Sequence, residues 1–269
     1  MADLKLGFVV SDQPIEHYLQ FAKNNGLAHL EIDLHKEHSL LASFTEKRIN
    51  GLKAEASKNG LRLSIHPPYT INLAEKTRNI VDQEIVYLKA CIELASRLGA
   101  EFVTTYLGSI NAQKNQAAAR KQAMTRAIKN LQLVIDACEK SKVKLALENA
   151  ENMEKDSDYF YVGDCIKDFE MVFKKIDSPW LKFCLDLGHA NVNEGITKYI
   201  DKFSGKIVNV HYHDNDGKSD DHLNIGEGNI NWKQVIKAFA KINYSGPFLS
   251  ETKDSPAQSK RKLLELINR

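Results

Sequence analysis

Cysteine, proline and long apolar runs are all scarce in this chain of 269 residues. Its four cysteines, Cys91, Cys138, Cys165 and Cys184, lie far apart and form no C-x-x-C pair, so neither a disulfide framework nor a zinc knot is indicated. They are expected to be buried thiols in a reducing compartment. The prolines and glycines gather into no hinge, and no low-complexity tract interrupts the chain. Residues 1–269 are therefore predicted to form a single domain.

A membrane span and a strong net charge are also missing. The apolar part of MADLKLGFVV is too short to cross a bilayer, and no basic segment typical of a secretory signal precedes it. A cytoplasmic protein without membrane contacts is expected. The formal net charge of +2 does not by itself imply a polyanionic partner. Basic runs such as ARKQ and SKRK are typical of solvated helix faces.

Short apolar runs that alternate with helix-length stretches fill the chain instead. Eight runs have strand length and composition, at 4–10, 27–34, 61–66, 101–107, 143–148, 181–186, 206–211 and 246–251. Helical stretches are predicted at about 15–25, 44–59, 77–98, 115–141, 164–176, 193–203, 231–242 and 256–268. Eight strand–helix units are the number that closes a barrel. The predicted fold is α/β, a single (β/α)8 TIM barrel with eight parallel strands.

Several of these strands end on residues that can bind a metal ion. Four runs in the second half end on carboxylates or an imidazole: Glu148, Asp186, His211 and Glu251. His66 is the last residue of an earlier strand, and Tyr106 lies near the end of another. Because the carboxyl ends of parallel barrel strands meet at one mouth, these side chains should converge. Carboxylates with an imidazole suit Mn²⁺, Mg²⁺ or Co²⁺, and Zn²⁺ is a further option.

The phase of the strands gives a second argument for convergence. Side chains alternate faces along a strand, and the last residue of each strand is taken to face the lumen. The inward set then contains Ser64, Ala146, Cys184 and Asn209 as well as the strand-end residues, whereas Leu63, Leu145, Phe183, Val208 and Val210 face outward. The outward set is apolar, as packing against helices requires. The same alternation places the candidate ligands of four strands on the inner face. This agreement favours a metal site over the alternative that these residues are unrelated helix caps or surface carboxylates.

Five motifs resemble those of the xylose-isomerase-like TIM-barrel superfamily of sugar isomerases, sugar epimerases and apurinic endonucleases. They are HPPYTINLA at 66–74, LALEN at 145–149, CLDLGHAN at 184–191, VHYHDNDGKSDDHLNIGEGNINW at 210–232 and LSET at 249–252. The resemblance covers nearly the whole chain. It implies that Glu148, Asp186, His211 and Glu251 bind a divalent metal, and that Glu148 and Glu251 also act as the acid/base pair.

The function that this resemblance implies first is a metal-dependent isomerase or epimerase of a sugar or sugar phosphate. In such a reaction one carboxylate removes a proton beside a carbonyl and another returns it, through an enediolate held on the metal. Trp232 follows the isomerase-like pattern and is expected to contact substrate. A small carbohydrate is the expected partner, and association into a homo-oligomer is a further expectation for this group.

The alternative function is endonuclease IV-like hydrolysis of abasic-site DNA, the one case in which nucleic acid would be a partner. That branch holds three zinc ions, and His66, His189, Asp220 and His222 match its additional ligands. These four residues and Tyr106 are candidates for a second metal site or for substrate binding. Tyr106 stands where that branch has histidine, and a phenol that titrates near 10 is a poor zinc ligand. The mild charge also favours the sugar enzyme, because duplex DNA requires many phosphate contacts.

Some histidines and one aspartate are given no part in the predicted site. His213 and Asp214 are interpreted as mainly structural, and no role is assigned to His17, His29, His35 or His38. A barrel that binds no metal and serves as a binding or scaffold protein stays a third hypothesis, since a fold does not fix a function.

Overall fold

Eight parallel strands close into a barrel in the computed structural model, which describes residues 4–10, 13–35, 37–111, 116–153 and 157–268. The barrel strands are β1 (Lys5–Val10), β2 (His29–Asp33), β3 (Arg62–His66), β4 (Phe102–Thr105), β6 (Lys144–Glu148), β8 (Leu181–Asp186), β9 (Ile207–Tyr212) and β10 (Pro247–Ser250). Their order around the barrel is β1, β10, β9, β8, β6, β4, β3, β2. The predicted (β/α)8 fold is confirmed.

Helices follow the barrel strands and cover their outer faces. They are α1 (Ile15–Asn24), α2 (Glu46–Lys58), α3 (Arg78–Leu98), α4 (Gln116–Ser141), α5 (Ile166–Lys175), α6 (Leu187–Val192), α7 (Ile196–Phe203), α8 (Trp232–Lys241) and α9 (Pro256–Asn268). Short 3₁₀ segments at Glu37–Ser39 and Leu41–Ser43 precede α2. The predicted helix at 193–203 corresponds to α7, whereas α6 was not predicted from the sequence. The predicted start of α4 at Asn115 lies outside the described residues.

A two-stranded antiparallel ribbon, which the sequence patterns do not predict, lies apart from the barrel sheet. It pairs β5 (Ser109–Asn111) with β7 (Tyr159–Tyr161). Each strand has only three residues, too few for a recognisable period. The ribbon brings Tyr161 to within 6.3 Å of Tyr106, measured between ring centroids, at the carboxyl end of the barrel.

Local signals in the sequence explain where several helices begin and end. The Thr45 hydroxyl accepts a hydrogen bond from the backbone N–H of Arg48 at the start of α2, and Asn231 caps α8 in the same way. α3 ends at Gly99, which has a φ of 74° in the left-handed region that glycine adopts without strain. These caps lie within one residue of the helix limits predicted at 44, 98 and 231.

The predicted strand phase holds in the structure with one exception. Ser64, Thr104 and Asn209 meet inside the barrel through hydrogen bonds to a shared partner, whereas Leu145 and Phe183 are buried in the outer core. Val208 was expected to face outward, and this expectation is wrong. The register of β8 and β9 shifts between Phe183 and Cys184, and Val208 packs against the lumen side chains of Phe102, Ala146 and Cys184.

The cysteines are free, as the sequence predicts. Cys91, Cys138 and Cys184 are buried, and Cys165 is half-buried. Among the described residues, no helix combines the length and the apolarity that a membrane crossing needs.

The buried residues on α4, which include Met124, Leu131 and Cys138, provide a test of the barrel's outer core. Leu131 is fully buried, whereas Leu133, two residues along the same helix, is 41% exposed. Leu131→Ala should lower the free energy of unfolding by about 2–5 kcal/mol, because it leaves a cavity in a packed core. Leu133→Ala serves as the matched control and should change it by less than about 1 kcal/mol. Urea unfolding followed by circular dichroism measures both, and equal losses would contradict this packing.

Candidate metal centre

A cavity of about 240 Å³ opens at the carboxyl ends of the barrel strands. It is lined by Val9, Asp33, His66, Tyr69, Tyr106, Ala150, Glu151, Tyr161, His189, Asp220, His222 and Glu251. Glu148, Asp186 and His211 are buried, at 1% exposure or less. Titratable side chains therefore dominate this end of the barrel, whereas the outer core is apolar.

Four strand-end residues form what we call the inner cluster: Glu148, Asp186, His211 and Glu251. The Nδ1 atom of His211 lies 3.2 Å from Oε1 of Glu148 and 3.5 Å from Oε1 of Glu251. Asp186, His211 and Glu251 can each offer a ligand atom within 4.8 Å of the others. The predicted convergence of these four side chains is therefore present in the structure.

Glu148 has the most side-chain hydrogen-bond partners of the three carboxylates in the inner cluster. Its carboxylate accepts from the Tyr106 hydroxyl at 3.0 Å, contacts Nε2 of His66 at 3.1 Å and contacts Nδ1 of His211. Burial alone would raise the pKa of Glu148, but the charges and hydrogen bonds of His211 and His66 hold it well below its ordinary value. Removal from water raises the pKa of Tyr106 well above its ordinary value, and the charges of nearby carboxylates raise it further, so the phenol is neutral. Tyr106 therefore donates a hydrogen bond here.

Glu251 differs from Glu148 although both belong to the inner cluster. Burial and the charges of Glu148 and Asp186 raise the pKa of Glu251, and the imidazoles of His211 and His222 only partly oppose this. Its neighbour Glu148 takes most of the hydrogen bonds from the surrounding histidines. Two carboxylates of the inner cluster therefore have pKa values displaced in opposite directions.

The inner cluster fits a divalent cation in the chemistry of its donors. Oδ1 of Asp186 accepts the backbone N–H of His189 at 2.6 Å, whereas Oδ2 is buried and has no hydrogen-bond partner among the described residues. A buried carboxylate oxygen without a donor is costly, and a cation would satisfy it. Three carboxylates and one imidazole form a hard donor set, which suits Mn²⁺, Mg²⁺, Co²⁺ or Zn²⁺.

A second group, the outer cluster, consists of His189, His213, Asp220 and His222, whose ligand atoms all lie within 4.8 Å of one another. Nδ1 of His189 contacts the Asn149 carbonyl at 2.7 Å, and Nδ1 of His222 contacts the Glu251 carbonyl at 2.8 Å. Both rings then direct Nε2 at Oδ2 of Asp220, at 3.3 and 3.0 Å. This orientation is typical of imidazoles whose second nitrogen is held for a metal.

His213 lies inside the outer cluster, so its interpretation as mainly structural does not describe its position. Its ring is stacked 3.9 Å from that of His222, and its Nε2 lies 3.3 Å from both Asp186 and Asp220. Neither ring nitrogen has a hydrogen-bond partner among the described residues. The ring packs directly on the backbone of Gly188, where a Cβ atom would come within 1.8 Å of it. Side chains two residues apart in an extended chain face the same way, so continuing the strand phase from His211 to His213 would have predicted that His213 also faces the site.

The remaining predicted residues have different surroundings. Trp232 does not line the cavity: it is buried and donates its indole N–H to Asp214 at 2.9 Å. A direct contact of Trp232 with a substrate in this cavity therefore has no support from its position. Asp214 also accepts the backbone N–H of Gly226 at 2.8 Å, so its interpretation as a structural residue agrees with its contacts.

Glu31 is the main residue of this region that the sequence analysis missed. It is fully buried inside the barrel, and Oε1 lies 2.5 Å from Nε2 of His211. Counted from Asp33, where the observed strand HLEID ends, the strand phase turns Glu31 inward between Leu30 and Ile32. The predicted run 27–34 ends one residue later, at Leu34, and the same rule applied to it turns Glu31 outward. Asp33, Glu151 and Tyr161 line the cavity and were also not predicted.

The barrel is closed and has carboxylates and imidazoles at the carboxyl ends of its strands. This protein is therefore a TIM barrel with potential metal-ligand residues at that end. Comparison with protein families gives a narrower result, because residues 19–269 match the model described as xylose isomerase-like TIM barrel. This chain belongs to that family, as its motifs predicted.

Comparisons with individual proteins agree with this assignment. An uncharacterized protein of Methanocaldococcus jannaschii is 27% identical over 82% of this chain and 76% of its own length. A protein of Carboxydothermus hydrogenoformans named probable endonuclease 4 is 22% identical over 70% of this chain and 68% of its own. A solved D-tagatose 3-epimerase-like protein has a TM-score of 0.83 and 25% identity, covering 97% of this chain and 98% of that one. D-psicose 3-epimerase from Clostridium cellulolyticum H10 has a TM-score of 0.79 and 17% identity, covering 98% of both chains.

The environment of His66 predicts a pH dependence of the metal-free protein. Burial would lower the pKa of His66, but Glu148 raises it to about 9, above the ordinary value of 6.5. The proton thus favours the folded state fully below about pH 6.5, and this stabilisation is lost as the pH rises through about 9. As the pH rises from about 6.5 to above 9, the free energy of unfolding should therefore fall by about 1–3 kcal/mol more in the wild type than in His66→Gln. Urea unfolding with a chelator present measures this difference. His17→Gln, at an exposed position on α1, is the control and should behave as wild type.

Proposed function

We propose that this protein is a divalent-metal-dependent isomerase or epimerase of a sugar or sugar phosphate. The observation that carries the proposal is the pair of glutamates, Glu148 and Glu251, whose carboxylates lie 3.2 and 3.5 Å from Nδ1 of His211. The epimerase-like solved structures support a carbohydrate substrate. The cavity is smaller than most small-molecule sites, which suits one compact ligand. A cytoplasmic location and association into homo-oligomers stay predictions.

The acid/base chemistry follows from the opposite displacement of the two pKa values. A carboxylate that is ionised can take a proton from the carbon beside a carbonyl, and a carboxyl group that keeps its proton can deliver one. Hydrogen bonds from His66 and Tyr106 hold Glu148 in a fixed orientation, whereas Glu251 lines the open cavity. Glu148 and Glu251 are thus suited to exchange a proton with a substrate bound between them.

The inner cluster would hold the metal that this reaction uses. A bound divalent cation would polarise the substrate carbonyl and stabilise the negative charge that develops on its oxygen. Asp186 and His211 would fix the position of the ion, since both are buried and held by hydrogen bonds. His66 and Tyr106 line the cavity beside Glu148 and hydrogen-bond to it, and the Tyr106 oxygen can accept a hydrogen bond from a substrate hydroxyl group.

A second metal ion is proposed for the outer cluster. Nε2 of His189 and of His222 converge on Asp220, and the nitrogens of His213 and Oδ1 of Asp220 have no hydrogen-bond partner among the described residues. Three imidazoles with one carboxylate suit Zn²⁺ better than Mg²⁺. In the metal-free protein, burial opposes the charge on Asp220, but His189 and His222 hold its pKa far below the ordinary value.

Loss of proton exchange tests the proposed reaction. Glu148→Gln and Glu251→Gln should each lower the rate of substrate α-proton exchange with solvent by at least about 100-fold, because each removes one member of the acid/base pair. Deuterium incorporation from D₂O, followed by NMR over a panel of ketoses and their phosphates with Mn²⁺ present, measures this. Glu93→Gln, an exposed glutamate on α3, is the control.

The same proteins distinguish the sugar enzyme from the nuclease. A duplex with a single abasic site should remain intact with wild-type protein that is loaded with Mn²⁺ or Zn²⁺. Nicking that disappears in Glu251→Gln, together with no exchange on any ketose, would replace the proposed function with abasic-site hydrolysis. A protein that binds no metal and gains no thermal stability from Mn²⁺ would exclude both.

Metal stoichiometry tests the outer cluster. Asp220→Asn should bind one metal ion fewer per chain than wild type, because Asp220 is the carboxylate on which the imidazoles converge. Asp221→Asn changes the neighbouring carboxylate, which hydrogen-bonds to Ser219, and should leave the count unchanged. Elemental analysis after dialysis against Zn²⁺ gives the count, and identical counts in the three proteins would show that the outer cluster holds no ion.

A further inference from the structure

Glu31 occupies an unusual place for a carboxylate. It lies in the middle of β2, has no exposed surface and faces the lumen of the barrel. Barrel interiors are generally filled by branched apolar side chains, and below Glu31 this lumen also contains Phe102, Ala146 and Cys184. Apolar residues would fill the same space without removing a charge from water. A role in filling the lumen therefore does not account for Glu31.

The two carboxylate oxygens of Glu31 have different partners. Oε2 accepts hydrogen bonds from the hydroxyls of Ser64 at 2.7 Å and Thr104 at 2.9 Å, and from the side-chain amide of Asn209 at 3.3 Å. Oε1 lies 2.5 Å from Nε2 of His211. Residues of β3, β4 and β9 thus hold the carboxylate in place, and its remaining oxygen meets the one imidazole of the inner cluster.

This contact determines which nitrogen of His211 faces the inner cluster. With Nε2–H donated to Glu31, Nδ1 points toward Glu148 and Glu251, at 3.2 and 3.5 Å. The amide nitrogen of Asn209 also lies 3.0 Å from Nε2, but it has Glu31 and Thr104 as acceptors. The shorter contact with a carboxylate is the stronger interaction, so Nε2 acts as the donor.

We propose that Glu31 is a positioning residue of the metal site, which orients the His211 imidazole and keeps its Nδ1 lone pair directed at the inner cluster. The inference rests on the proposed metal site and adds to it a residue that would contact neither the metal ion nor the substrate. Carboxylates that accept the second N–H of a ligating histidine fix the ring and raise its basicity, and their loss typically lowers metal affinity by about 10–100-fold.

Metal affinity, measured without substrate, tests this assignment. Glu31→Gln removes the charge at nearly constant volume and should weaken binding of Mn²⁺ or Co²⁺ by about 10–100-fold in isothermal titration calorimetry. The visible absorption of bound Co²⁺ should also change, because it reports the geometry of the ligands. Glu93→Gln is the matched control: it makes the same change at an exposed position on α3, away from the barrel mouth, so it should bind metal within about threefold of wild type.

Each outcome bears on the inference separately from the proposed reaction. Wild-type affinity and an unchanged Co²⁺ spectrum in folded Glu31→Gln would overturn it, even if sugar exchange proceeds. Weaker binding in Glu31→Gln would support it, even if no ketose exchanges a proton. Should Glu31→Gln fail to fold, Glu31→Asp keeps the charge but withdraws the carboxylate from His211, and the same loss of affinity is expected. A wild-type protein that binds neither ion would overturn both proposals.

Discussion

Burying carboxylates at the mouth of a barrel is unfavourable unless positive charge or hydrogen-bond donors compensate for each of them, and this requirement organises the candidate site. Glu148 obtains its compensation from His66, Tyr106 and His211, and Glu31 from the other side of the His211 ring. In the metal-free molecule, protons on the histidines supply the positive charge. A divalent cation can take over this role, so the protonation of the imidazoles and metal binding are linked.

The two clusters are connected through Asp186 and the turn that follows it. Asp186 begins α6 by accepting the backbone N–H of His189, and this places His189 above the inner cluster and beside Asp220. The loop after β9 completes the outer cluster because Asp214 pairs with Leu223 and accepts N–H groups of the returning chain. The structural role of Asp214 is therefore a condition for bringing Asp220 and His222 to the mouth.

Periodicity predicted most of the barrel and the inner cluster, because strand phase and the position of a strand end are local properties of the sequence. The β5–β7 ribbon, the bulge at Val208 and the hydrogen bonds of Glu31 depend on pairing between distant segments, which local patterns do not contain. Glu31 was missed for a specific reason: the phase was applied to strands that end on a candidate ligand, whereas Glu31 lies mid-strand. His213 lies beyond the end of its strand's predicted run, and the loop that surrounds it is irregular.

The position of Tyr106 separates the two chemistries that the superfamily resemblance leaves open. A histidine there could provide a third metal with a ligand, whereas the half-buried phenol keeps its proton and donates a hydrogen bond to Oε1 of Glu148. That hydrogen bond occupies the same oxygen that contacts His211, so it limits the number of ions that Glu148 can share. A carboxylate held by a neutral donor and an imidazole has a fixed orientation, as the proposed proton exchange with a small substrate would require. This arrangement favours the sugar enzyme over a three-metal hydrolase.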